Sequence, residues 1–322
     1  MGNFFSSLFS SSKATTTEEN KVKNEEKNFD ILKYDGMRAL QCCGKAAYGI
    51  KCLNEALLIR EDLETMSFLA SGYTMTMQLD KALEVTTRMV ELAPDHIDIR
   101  LSRINLLFML DKDMEVIDEC KQIITLAPDN FLAYHQMGKS KKAIGDLLGA
   151  LADLTKSITL KEDFAASYYI RAEILMRMQQ GKEALEDIEK AITLNPEEES
   201  YYLLRGQIHE LTGNTDAASD DYQKVVLLNP FNEEAIILSG RLLINEGKNE
   251  EAISYFNEII EAYPEMAKAY AERGRAKNQK GDKAGAFEDL KKSIELNPEG
   301  EEAQKFNGQH SNFDNLYKGG IF

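Results

Sequence analysis

The six prolines of the chain are spaced by multiples of one length. They are Pro94, Pro128, Pro196, Pro230, Pro264 and Pro298, and the gap between neighbours is always the gap from Pro94 to Pro128 or twice that gap. A single globular core gives no reason for such a period, whereas a tandem repeat does. The sequence therefore predicts a structural unit of about 34 residues that is repeated along the chain.

Small side chains follow the same period in two series. The first is Ala82, Ala150, Ala184, Ala218, Ala252 and Ala286, with Val116 in the remaining slot, and the second is Gly138, Ala172, Gly206, Gly240 and Gly274. Apolar residues around them recur at helical spacing, and each unit closes at a proline, which cannot continue a helix. Two helices need small residues where their axes approach. Each unit is therefore predicted to be a helix-turn-helix that buries its apolar face against its neighbours.

The period, the small residues and the closing proline together resemble the tetratricopeptide repeat (TPR) family. In the last unit the family's typical positions hold Tyr270, Gly274, Ala286, Leu290, Ser293 and Pro298. The resemblance covers about residues 30–298 and implies an all-α fold, a right-handed α-solenoid (superhelix) of stacked units. The chain departs from the family in having no Trp, in a divergent first unit, and in the unit 97–130, where Ile104 and Cys120 occupy packing positions.

The repeat divides the chain into four segments. Residues 1–29 are predicted to be a flexible leader, 30–298 an array of about eight repeats, 299–308 a capping helix and 309–322 a tail. The leader opens with a Met-Gly pattern that fits N-myristoylation and with an apolar edge, so membrane contact through residues 1–10 is weighed against a mobile leader. The tail carries aromatic side chains, and docking on the array is weighed against disorder.

An Arg–carboxylate spacing accompanies the repeat. Where a unit has Arg one residue before its Gly or Ala slot, an acidic residue follows sixteen residues later, in the pairs Arg103/Glu119, Arg171/Asp187, Arg205/Asp221 and Arg273/Asp289. Units with Leu69 or Ser239 at this position have Val85 or Tyr255 instead of the acid. We predict that each pair joins the two helices of its unit, as a structural contact.

The resemblance also implies that the first helix of each unit lines the concave side of the array. Residues three, seven and ten beyond a starting position share one face of that helix. The predicted partner-binding residues are Leu101, Asn105, Phe108, His135, Lys139, Lys142, Tyr169, Glu173, Met176, Leu203, Gln207, Ile237, Arg241 and Arg275. Charges on this face nearly cancel, which favours a partly apolar groove that binds a peptide or protein. An inner face without a ligand is the alternative.

Several function classes are disfavoured. The net charge of −16 argues against nucleic acid, because phosphate binding requires an excess of Lys and Arg. No catalytic or metal-binding motif occurs, and the four histidines fall in different units, so we expect no enzyme activity, no cofactor and no metal. The array leaves no room for a separate catalytic domain.

The remaining sequence features indicate a cytoplasmic interaction protein. There is no apolar run long enough for a transmembrane helix and no secretory signal, and the four cysteines are expected to be buried thiols. The sequence predicts a non-catalytic scaffold or adaptor that binds a protein or peptide in its concave groove. The alternatives are a self-assembling structural array and a membrane-peripheral adaptor that uses the N-terminal apolar segment.

Overall fold

The chain consists of α-helices throughout the part that the structure describes. The computed structural model describes the backbone of residues 5–42 and 44–308, and the side chains of residues 22–42 and 44–304. Those residues form 17 α-helices and no β-strand. The helices belong to two compact units, Met1–Glu162 and Asp163–Phe322.

The first unit is a stack of four helical hairpins, each an odd-numbered helix packed on the next even-numbered one. Its helices are α1 (Phe5–Gln41), α2 (Ala46–Ile59), α3 (Leu63–Met75), α4 (Leu79–Leu92), α5 (Ile97–Met109), α6 (Asp113–Leu126), α7 (Phe131–Ala143) and α8 (Leu147–Leu160). Within this unit α2, α4 and α6 each also pack on the first helix of the following hairpin. This arrangement is that of an α-solenoid segment.

The second unit repeats the arrangement with four more hairpins and a short final helix. Its helices are α9 (Ala165–Arg177), α10 (Gly181–Leu194), α11 (Glu199–Leu211), α12 (Thr215–Leu228), α13 (Glu233–Asn245), α14 (Asn249–Ala262), α15 (Ala267–Lys280), α16 (Lys283–Leu296) and α17 (Glu301–Gly308). Helix α17 packs on α16. The eight hairpins correspond to the eight repeats that the sequence indicates.

Helix α1 begins at Phe5, inside the segment that the sequence analysis treats as a leader. Phe29 is only 1% exposed, and the guanidinium of Arg60 lies 4.0 Å from the centre of its ring. The packed part of α1 therefore includes Phe29. None of the described helices combines the length and the apolar character that crossing a membrane requires. Residues 1–4 and the tail 309–322 lie outside the described residues, and so do the side chains through which residues 1–10 would contact a membrane.

Seven of the hairpins turn at one residue with a left-handed backbone, and these residues follow one another at the step of the repeat. They are Met77, Asp111, Gly145, Gln179, Gly213, Gly247 and Gly281, with φ between 54° and 96°. At Gly213 the amide donates to the carbonyl of Glu210 at 3.0 Å, and the next amide donates to that of His209 at 2.8 Å. Such paired bonds satisfy carbonyls that would otherwise be left open at the end of the first helix.

The helices of a hairpin meet through two residues of complementary size. A Cβ on Gly240 would lie 2.6 Å from Cε2 of Phe256, a fully buried side chain. In the hairpin α5–α6 the sizes are exchanged, since Ile104 lies on the first helix and Cys120 on the second, and both are fully buried in one cluster. The total volume at the joint is kept, which explains how the unit 97–130 packs despite its unusual residues.

The first hairpin follows the same rule with a longer turn. Gly36 lies one repeat before Ala70, and a Cβ on Gly36 would lie 2.7 Å from Cγ of Leu53. Gly36 is absent from the predicted series of small residues, because the turn between α1 and α2 is longer than the turns of the later hairpins.

The cysteines do not all follow the expectation of buried thiols. Cys52 and Cys120 are buried, as expected for small apolar side chains. Cys42 is exposed at the end of α1, so the expectation is wrong for this residue. Cys43 lies outside the described residues.

Arg–carboxylate pairs join the two helices in four hairpins, at the spacing of sixteen residues. Arg171 donates to both carboxylate oxygens of Asp187 at 2.6 and 2.7 Å. The same two-bond geometry joins Arg205 to Asp221 at 2.9 and 2.6 Å and Arg273 to Asp289 at 2.9 and 2.6 Å. In the hairpin α5–α6, Glu119 accepts from Arg103 and also from Arg100. The carboxylates of all four pairs are buried.

A second cationic position, which the sequence analysis does not identify, contacts the same carboxylates. The hairpin α7–α8 has no Arg at the position of Arg171, yet Lys141 pairs with buried Asp153 at 2.7 Å. Lys141 lies one turn of helix after the Arg position. The equivalent residue in α11 is His209, 3.8 Å from Asp221, and the equivalent residue in α15 is Lys277, 2.8 Å from Asp289. Burial raises the pKa of Asp153, and the nearby Lys141 only partly offsets that effect.

Candidate functional site

The residue three positions beyond the start of the predicted binding face, such as Leu101 on α5, packs between successive first helices. We call this the third position. Its residues share a buried cluster with a small residue on the first helix of the next repeat, in the pairs Leu101–Ala133, Leu203–Ala235 and Ile237–Ala269. Ile237 is only 4% exposed. Ile237 therefore offers little surface to a partner in this structure, and Leu101 and Leu203 also pack against the next first helix.

His135 occupies the same third position on α7 and is 7% exposed. Burial lowers the pKa of His135 to about 4, and the charge of Lys139 adds to this effect. The imidazole is consequently neutral at physiological pH. Its burial leaves little of the side chain accessible for the partner contact predicted for His135.

Tyr169, also at the third position, stacks on Tyr201 of the next first helix, with ring centres 5.1 Å apart. Burial raises the pKa of Tyr169 to about 12, and Glu173 contributes to the rise. Glu173, Met176 and the ring pair are half-buried or buried on this part of the second unit. The two Tyr side chains fill the space between α9 and α11.

Most charged residues of the predicted face are used within the protein. Arg241 donates to Glu272 at 3.0 and 2.5 Å, and Arg275 lies 3.5 Å from the other oxygen of the same carboxylate. Glu272 is 4% exposed. These two arginines therefore neutralise the buried carboxylate of Glu272 within the chain.

Three other residues of the face also have partners inside the chain. The amide of Gln207 donates to Glu234 at 3.0 Å, and the ammonium of Lys139 lies 4.5 Å from the ring centre of Phe108. Lys142 is half-buried, and Asn105 is exposed. Of the fourteen predicted residues, Asn105 is the one that lines an open cavity in the first unit.

That cavity lies in the first unit between α3 and α5 and has a volume of about 690 Å³. We call it the α3–α5 cavity. It is lined by Leu63, Glu64, Ser67, Ala70, Ser71, Thr74 and Met75 of α3, by Thr86 and Met89 of α4, by His96, and by Asp98, Ile99, Ser102, Asn105, Leu106 and Met109 of α5. Its size falls in the usual range of ligand pockets.

The cavity exists because α3 has a small side chain at the third position. Ser67 precedes Leu101 by one repeat and Tyr169 by three repeats. Opposite it, Ile99 takes the place that Tyr201 has in the second unit. A large side chain fills this gap between α9 and α11, whereas Ser67 leaves it open between α3 and α5.

Sequence reasoning could have found these lining residues. One repeat before Leu101, Asn105 and Phe108 stand Ser67, Ser71 and Thr74, on the same face of the preceding first helix. The predicted binding face begins on α5 and leaves out that repeat. Nothing in the periodicity alone distinguishes an open slot from a filled one.

The electrostatics of the α3–α5 cavity are acidic. Its charged lining residues are Glu64 and Asp98, and the lining includes no Lys or Arg. Glu64 pairs with Lys33 at 2.5 Å. Asp98 is exposed, and it forms no ion pair among the residues that the structure describes. Within those same residues no three metal-ligating side chains come together.

Comparison with known proteins gives one family and a set of similar structures. The sequence profile described as tetratricopeptide repeat matches residues 169–233 and 237–301, both in the second unit. No curated protein matches the chain.

Among solved structures, a tetratricopeptide repeat protein from Parabacteroides merdae has 17% sequence identity and a TM-score of 0.58, and the match covers 76% of this chain and 96% of that one. This likeness shows the fold. YrrB, described as a TPR protein with an unusual peptide-binding site, has 25% identity and a TM-score of 0.46 over 59% of this chain and 98% of its own. MamA has 20% identity and a TM-score of 0.47 over 50% of this chain and 95% of its own.

Proposed function

Because the chain is a tetratricopeptide repeat protein, we propose that it is a non-catalytic interaction protein that binds a peptide or protein partner on the faces of its first helices. The observation that carries the proposal is the open α3–α5 cavity, which is lined by apolar, hydroxyl and amide side chains together with His96, Glu64 and Asp98. An open cavity of this size and mixed lining suits the recognition of a side chain of another protein.

The packing of the other first helices supports placing the binding surface here. Elsewhere on the predicted face, side chains such as Ile237 and Arg241 are occupied by contacts within the chain. The lining of the α3–α5 cavity, by contrast, leaves Ser67, Ser71 and Asn105 exposed. A partner could reach these side chains without displacing any packing of the array.

Site-specific photocrosslinking in the native host tests the proposal. A benzophenone amino acid at Asn105 should crosslink to a distinct partner protein. The same amino acid at Leu148, which is 72% exposed at the start of the second helix α8, should not capture that protein. Crosslinking of the same proteins from both positions, or of none from Asn105, would contradict binding at this surface.

A further inference from the structure

The α3–α5 cavity is an open packing slot at a position that is filled in the five repeats that follow. At this position the first helices α5, α7, α9, α11 and α13 carry Leu101, His135, Tyr169, Leu203 and Ile237, whereas α3 carries Ser67 and α15 carries Ala271, which is buried. Leu101, Leu203 and Ile237 pack on the next first helix, and Tyr169 stacks on its neighbour. The chain itself therefore shows which side chains fit this slot, namely a branched aliphatic group or an aromatic ring.

The walls of the slot suit a large apolar side chain. Met89 is 5% exposed at the back, while Met75 and Met109 are 62% and 47% exposed at the mouth. Met side chains adapt their shape and make favourable contacts with aromatic rings. Thr86, also in the wall, is buried, and its hydroxyl donates to the carbonyl of Ala82 at 3.0 Å. This hydroxyl therefore needs no hydrogen-bond acceptor from a ligand.

The edge of the slot has one exposed carboxylate that is available to pair with a cation of a partner. Asp98 is exposed, whereas the other acid, Glu64, is held by Lys33 at 2.5 Å. The lining has no basic side chain to compete for Asp98. Charge complementarity consequently favours a cation next to the apolar group.

We propose that the α3–α5 cavity takes one bulky apolar side chain of a partner peptide, with a Lys or Arg of that peptide beside Asp98. Ser67 is the residue that makes the site available, because the larger side chains found at Leu101, Tyr169, Leu203 and Ile237 would occupy the space. The inference rests on the proposed function and specifies the kind of peptide that the site recognises.

The test uses the full-length chain with ¹³C-methyl-labelled methionine and three synthetic peptides in the same Gly/Ser frame. One peptide has a central Phe flanked by Lys, one has Ala in place of Phe, and one has Phe flanked by Glu. The Phe/Lys peptide should shift the NMR signals of Met75, Met89 and Met109 in a saturable way. Each of the other two peptides should bind at least about tenfold more weakly.

Two variants of the chain sharpen the result. Ser67→Leu places the side chain found at Leu101 and Leu203 into the open cavity, opposite Ile99 instead of an alanine, and it should weaken binding of the Phe/Lys peptide by at least about tenfold. Asp98→Lys should reverse the preference, so that the Glu-flanked peptide binds better. Ser254→Leu, at an exposed position of α14, is the matched control and should leave binding unchanged.

The outcomes that overturn the proposal are distinct from failure of the general function. Equal binding of the Phe and Ala peptides, unchanged binding by Ser67→Leu with its helical circular dichroism intact, or the absence of any shift at the three methionines would each refute it. A partner crosslinked from Asn105 that binds Ser67→Leu as well as the wild type would refute this site while leaving the interaction function in place.

Discussion

The ring of Tyr222 lies directly against the backbone of Gly206, so that a Cβ at Gly206 would be 2.8 Å from Cδ1 of the ring. Tyr222 is fully buried, and its hydroxyl donates to Glu210 at 2.5 Å. The contact fixes the approach of α11 and α12. It illustrates how each hairpin matches one small residue with one large one.

Adding a methyl group at this joint should destabilise the second unit. We expect Gly206→Ala to lower the free energy of unfolding by about 1–3 kcal/mol, because the ring cannot move without losing its bond to Glu210. Thermal unfolding followed by circular dichroism measures the loss. Adding Tyr222→Ile to this variant reproduces the pair Ala172 and Ile188 of the preceding hairpin. The second change should restore much of the lost free energy of unfolding. Purely additive losses in the double variant would contradict the size matching.

Removing a buried carboxylate from an Arg pair should be costly. Asp187 is 6% exposed, and Asp187→Ala leaves Arg171 without its two bonds, so we expect a loss of about 3 kcal/mol or more in unfolding free energy. Glu61→Ala is the control, because the pair of Glu61 and Arg88 lies in solvent, which screens its charges. Urea titrations that find equal effects for the two variants would show that burial of the pair is not what matters.

The left-handed turn residue offers a stabilising change. Gln179 has φ of 62°, a conformation that costs a non-glycine residue energy, whereas Gly213 fills the same turn position in the next hairpin. Gln179→Gly should raise the unfolding free energy by about 0.5–1 kcal/mol. Gly213→Ala should lower it by a similar amount. A loss of stability in Gln179→Gly, measured by urea unfolding, would mean that the Gln side chain makes a compensating contact.

Stability of the first unit should depend on pH through His135. Burial lowers the pKa of His135 to about 4 from an ordinary value of 6.5, so the unfolded chain binds the proton first as the pH falls. Stability is therefore full above pH 6.5 and is lost as the pH falls towards 4. His135→Leu copies the residue at Leu101 and Leu203, and its stability should fall less steeply in this window. Parallel curves of unfolding free energy against pH would count against a neutral buried imidazole.

The period of the repeat determined the all-α fold, the hairpin as its unit and the residues at which helices meet. Such features can be read from sequence because they depend on local spacing: a proline ends a helix, a small residue permits close approach, and an Arg sixteen residues before an acid faces it across one hairpin. The pair of Arg171 and Asp187 is a case in which both members belong to the same repeat.

The state of each inner-face residue was decided only by the tertiary structure. The same spacing places Ser67, Tyr169 and Ile237 on one helical face, yet the first borders a cavity, the second stacks on Tyr201 and the third is buried. What separates them is the size of each side chain together with that of the side chain opposite, on the next repeat. Whether a slot stays open depends on how these two side chains from different repeats fit together, and that fit is fixed only when the hairpins stack.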